Sequence, residues 1–115
     1  MSKPQLASID HDGWMIDDGE VAHSQNPDTF WIPPLQDRQS LEVNDHAKIR
    51  FYIRIEEEDG KLEDYGERMW VKVLGRLDDW YRGELDNQPN CTAEITSGLE
   101  VWFQPRHVID IQRAG

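Results

Sequence analysis

Five side chains in this sequence are of the types that act as soft metal ligands or as a thiol–imidazole pair: Cys91, His11, His23, His46 and His107. A cysteine nucleophile needs a nearby base, so Cys91 with His107 or His46 is the pairing to weigh. A lone cysteine beside Thr92, just after a turn, reads equally well as a small apolar filler. Structural zinc is usually held by ligands in short, closely spaced pairs, and no such pair is present. Calcium is suggested by Asp10-His11-Asp12-Gly13 and Glu57-Glu58-Asp59-Gly60. An EF-hand register with Gly13 as its turn glycine puts Ser8 first and Gly19 last, and one with Gly60 puts Ile55 first and Gly66 last, so both lack the terminal carboxylate. Gly-rich phosphate loops, nucleophile elbows and zinc-protease helix patterns are missing. With 23 acidic residues, carboxylate pairs for acid–base work can be drawn anywhere and carry no information. The sequence therefore predicts neither a catalytic constellation nor a metal or other cofactor.

The charge says more. Twelve basic against 23 acidic residues give a net charge of −11 over 115 residues, enough chain for a single globular domain spanning 1–115. Nucleic acid binding needs a basic face that displaces counterions, and an anionic membrane would repel this chain. One cysteine cannot staple a secreted disulfide scaffold, and the residues after Met1 contain no apolar leader, so a cytoplasmic location is expected. The partner class that the charge favours is a protein with a basic surface. The acid is spread along the chain, its densest run being Glu56-Glu57-Glu58-Asp59.

Any such site must be positioned by elements that the hydrophobic pattern reveals. Ala47, Ile49, Phe51, Ile53 and Ile55 alternate with Lys48, Arg50, Tyr52 and Arg54, which predicts a strand with one buried and one basic face. Further strands fit Arg68 to Leu74, Trp80 to Leu85 after a turn at Asp78-Asp79, Leu99 to Phe103 before Pro105, and Val108 to Ile111. In the N-terminal third, Trp14 and Ile16 suggest a short strand, with Val21-Ala22 returning as a hairpin. Pro33-Pro34 can seat a short helix over Leu35 to Leu41, after which Val43-Asn44-Asp45 re-enters the sheet. The expectation is a mainly β fold with one or two short helices, built as a small, strongly curved antiparallel sheet or partly open barrel.

The run Glu67-Arg68-Met69-Trp70-Val71-Lys72-Val73, then Trp80-Tyr81-Arg82-Gly83-Glu84-Leu85-Asp86-Asn87-Gln88-Pro89, Gly98-Leu99-Glu100-Val101 and Val108-Ile109-Asp110 resembles the YegJ-like bacterial domain of unknown function over residues 67–111. This chain differs from the pattern at Ser97-Gly98-Leu99-Glu100, where the group more often has Gly-Asp, and in having no tryptophan after Asp110. The resemblance implies a compact β-rich fold of the kind found among bacterial immunity and interaction proteins. It brings no catalytic residues.

Five tryptophans are the remaining signal. Most tryptophans in a small β domain are core residues, but an exposed one inside a charged rim reads as an interface anchor. The leading expectation is a non-catalytic interaction protein, of immunity or inhibitor type, that binds and neutralises a protein partner such as a toxin. Asp17, Asp18, Glu56, Glu57, Asp78 and Asp79 would face its lysines and arginines, and Trp31, Trp80 or Tyr81 would anchor it. Two alternatives stand beside it: a nucleic-acid mimic blocking a nuclease or phage-defence complex, and a small-ligand or enzyme module in the mouth of the β structure. An exposed edge strand leaves room for a homodimer.

Overall fold

The computed structural model describes residues 3–115. Its centre is a strongly curved antiparallel sheet, a half-barrel, in which β1 (Trp14–Ile16), β2 (His46–Glu56), β3 (Leu62–Leu77), β4 (Trp80–Leu85) and β5 (Glu100–Phe103) lie in that order. β6 (Asp110–Gln112) sits on the same edge of β2 as β1, pairing with His46 to Lys48, while β1 pairs with Phe51 to Ile53. The alternation read in β2 is the reason for this sheet. Ala47, Ile49, Phe51 and Ile53 are buried and meet Met69, Val71 and Val73 of β3, Tyr81 and Leu85 of β4, and Val101 and Phe103 of β5. Gly83 is the tightest point of this layer. A Cβ built there would stand 2.5 Å from Val71 Cγ1 and 2.9 Å from the Lys72 carbonyl oxygen, so only glycine lets β3 and β4 close over Phe103.

Several elements depart from the sequence reading, each for a local reason. β3 is more than twice as long as the stretch Arg68 to Leu74. At its far end a bulge between Val73 and Gly75 breaks the two-residue period, and at its near end residues 62–66 are exposed on both faces, so burial leaves no alternation to read. Val21-Ala22 is not a returning strand. It lies in helix α2 (Gly19–Gln25), because the Asp18 carboxylate accepts the N–H groups of Glu20 at 2.9 Å and Val21 at 3.1 Å and caps the first turn. Ala22 then packs on Phe30 and Ile109 in a second small cluster. An earlier helical turn, α1 (Ile9–Asp12), precedes β1. The helix after the proline pair, α3 (Leu35–Arg38), stops three residues short of Leu41. The closing strand begins at Asp110, because Pro105–His107 forms a 3-10 turn and Val108 and Ile109 are buried instead.

The outer face of the sheet is not an open basic surface. Arg50 Nε donates to Asp17 at 2.9 Å, Arg54 Nε to Asp64 at 2.8 Å, and Arg82 Nε to Glu100 at 3.0 Å. Lys48 lies over the Trp70 ring, 5.1 Å from its centre. No helix among the described residues is long and apolar enough to cross a membrane.

Candidate functional site

From Phe30 to Pro34 burial alternates along the chain, with Phe30 and Pro33 buried and Trp31 and Pro34 exposed. Phe30 turns inward, its ring under the guanidinium groups of Arg50 at 5.0 Å and Arg68 at 5.2 Å, and Ile32 joins it in the small cluster. Trp31 between them points out. It is 64% exposed, the highest value among the described large hydrophobic residues.

Beside Trp31 the surface dips into a groove of about 310 Å³, walled by Pro33 and Pro34, Asp37 of α3, and Asp110, Ile111 and Arg113 at the chain's end. Both walls are fixed. On one side the buried Arg38 donates to the Pro33 carbonyl at 2.8 Å, to Glu20 at 2.6 Å and to the Pro105 carbonyl at 3.0 Å. On the other, Arg113 donates to the Ser40 carbonyl at 2.9 Å and to Asp45 at 3.1 Å. Burial alone would raise the Asp45 carboxyl, but the N–H groups of Glu42 and Ala114 and the Arg113 guanidinium outweigh it and hold it below the usual carboxylate range. An exposed aromatic on a rigid, partly apolar groove with carboxylates at its rim has the composition of an interface hot spot.

The residues proposed from sequence do not form one site. Glu56 and Glu57 stand at the β2–β3 hairpin, where Glu57 accepts the Tyr65 hydroxyl. Asp78 and Asp79 sit in the β3–β4 turn, at the other end of the 16-residue β3. Asp17 is bound to Arg50, and Asp18 caps α2 with Arg106 3.9 Å away, so both acids serve the fold. Trp80 is half-buried. Tyr81 is a correction: it is 0% exposed, stacked on Phe103 at 5.2 Å between ring centres. Its hydroxyl donates to the Arg38 carbonyl at 2.9 Å and accepts the Leu41 N–H at 3.2 Å. It shares the parity of Leu85 along β4, a signal that could have placed it inside. Asp37 and Asp110, far apart in the sequence, line one groove in the fold, and no local pattern pairs them.

The candidate nucleophile and bases are likewise committed. A wider depression of about 600 Å³ lies over the loop around Cys91, and there the Glu67 carboxylate accepts the N–H groups of Asn90 at 2.9 Å and Cys91 at 3.0 Å. Burial and the hydrogen bond to Glu67 push the Cys91 thiol up to about 11, leaving little thiolate at neutral pH. Alkylation by iodoacetamide at pH 8, followed by mass spectrometry, is expected to run roughly 100-fold slower than for an unstructured cysteine peptide; a matching rate would contradict this placement. His46 Nε2 pairs with Asp86 at 2.7 Å, His23 Nδ1 faces the Phe30 carbonyl at 2.6 Å, and His107 Nδ1 accepts the Gln104 N–H at 2.9 Å inside the core. His11 lies on the surface beside Asp12. Among the described residues no three histidine, cysteine or carboxylate groups converge to hold a metal ion.

No family model, curated protein or solved structure matches this chain.

Proposed function

We propose that this protein is a binding module for a protein partner with a basic surface, with Trp31 as the anchor and the carboxylates of Asp37 and Asp110 as the rim that receives the partner's cations. The observation that carries the reading is the exposure of Trp31 at 64% on a groove whose walls are held by the hydrogen bonds of Arg38 and Arg113. Exposing an indole on water gives up about 2 kcal/mol or more of burial, which a purely structural tryptophan would keep. The net charge of −11 supports the sign of the partner, and the acidic hairpin at Glu56 to Asp59 would act at long range, raising the encounter rate rather than holding the complex.

In its concrete form the protein neutralises a toxin-like partner by covering its basic surface, the immunity type of interaction that the resemblance in residues 67–111 implies. The test is capture from host lysate on immobilised protein across a salt series, with wild type and Trp31→Ala side by side. A basic partner recovered in stoichiometric amount at low ionic strength, and lost with Trp31→Ala, is the expected result. Equal recovery by both forms would remove Trp31 from the interface.

A further inference from the structure

We infer that the Trp31 groove takes an arginine side chain of its partner in preference to lysine. This rests on the reading of Trp31 as anchor and names the group that the anchor receives. Asp37 uses its backbone in α3 and toward Arg113, but its carboxylate has no ion pair or hydrogen bond among the described residues. Asp110 uses one carboxylate oxygen to accept the N–H of Ile111 at 2.9 Å, and its other oxygen has no hydrogen bond or ion pair among the described residues. The one cation lining the groove among the described residues, Arg113, is drawn onto the buried Asp45 and the Ser40 carbonyl. Counting Asp37, Asp110 and Asp45 against Arg113, the site carries two uncompensated negative charges next to an exposed indole face.

An aromatic face and a carboxylate around one space select for a guanidinium. Its plane stacks on the ring while its edge N–H groups reach the carboxylate, and it sheds water more readily than an ammonium. Lysine is a compact, strongly hydrated charge that can satisfy one of the two surfaces at a time. An aliphatic side chain would strip water from two carboxylates and return nothing. The protein already uses this device internally: the Arg50 guanidinium lies over the Phe30 ring at 5.0 Å while its Nε donates to Asp17 at 2.9 Å. The Trp31 groove offers the same ring and carboxylate with the guanidinium still to come.

The test uses end-blocked penta-arginine and penta-lysine as probes, titrated into the full chain at 150 mM salt. The readout is the indole N–H resonance of Trp31, assigned by its disappearance in Trp31→Phe. Penta-arginine is expected to move that resonance at a concentration about tenfold lower than penta-lysine. In Asp37→Asn/Asp110→Asn the difference should shrink to about twofold or less. The other four indole signals report whether each variant is folded. A Trp31 resonance that stays still, or that moves equally with both probes, overturns the inference. If the probes are equal while partner capture still depends on Trp31, the anchor stands and the arginine preference falls.

Discussion

Replacing Tyr81 with alanine is expected to lower the unfolding free energy by about 4 kcal/mol and the melting temperature by roughly 15 °C. Tyr81 is wholly enclosed, so truncation opens a cavity against Phe103 that the surrounding strands cannot collapse to fill. The ring also carries the Arg76 guanidinium, 4.9 Å from its centre. The hydroxyl is the link between β4 and the segment after α3, since it serves both the Arg38 carbonyl and the Leu41 N–H. Tyr81→Phe keeps the packing and leaves those two groups without their shared partner, for a loss of about 1–2 kcal/mol. Chemical denaturation of the two variants measures both values. A Tyr81→Ala protein as stable as wild type would mean that this residue is on the surface after all.

The second large effect is on pH. Burial, with help from the neighbouring Arg106 charge, pulls the His107 imidazole from 6.5 down to about 4 in the folded state, against the opposing charges of Asp18 and Asp17. The unfolded chain therefore takes up this proton first. The neutral ring contributes its full stability above about pH 6.5, and the contribution is lost as pH falls from there toward 4. The span from 6.5 to about 4, at 1.36 kcal/mol per unit, amounts to roughly 3 kcal/mol. In His107→Gln, where the amide oxygen can still accept the Gln104 N–H, the slope between pH 6.5 and 4.5 should flatten. Denaturant midpoints taken at steps of half a pH unit read the slope directly. An equally steep fall in both proteins would assign it to the carboxylates instead. Asp45 belongs to a lower window, because its depressed folded value releases stability only below the normal carboxylate pKa of about 4.

Legibility in the sequence followed burial. β2 could be read almost to the residue because one face is packed and the other is wet along Ala47 to Ile53. The same rule failed at residues 62–66, where neither face is covered, and beyond Val73, where the bulge shifts the period. It also missed α2, whose start is written in the Asp18 cap rather than in a hydrophobic repeat. For the site, the property recognised from sequence was that an exposed tryptophan with acidic neighbours would matter. Which one is exposed depends on packing: Trp80-Tyr81 follows two aspartates, a surface context, but β4 buries Tyr81, whereas Trp31 lies exposed between the buried Phe30 and the half-buried Ile32. Asp37 and Asp110 come from distant parts of the chain and line one groove only in the fold, which no local pattern encodes.

In the function proposed above, the Glu56 to Asp59 hairpin would act at a distance and the Trp31 groove would make the contact. The decisive measurement is therefore the affinity of the captured partner, by calorimetry at 150 mM salt, for wild type, Trp31→Ala, and the hairpin variant Glu56→Gln/Glu57→Gln/Glu58→Gln, with unchanged melting temperatures as the control. Trp31→Ala is expected to weaken binding about 100-fold or more, as loss of an anchor residue does. The hairpin variant should weaken it by less than about tenfold, and through the association rate. A hairpin variant that abolishes binding while Trp31→Ala binds like wild type would contradict the account.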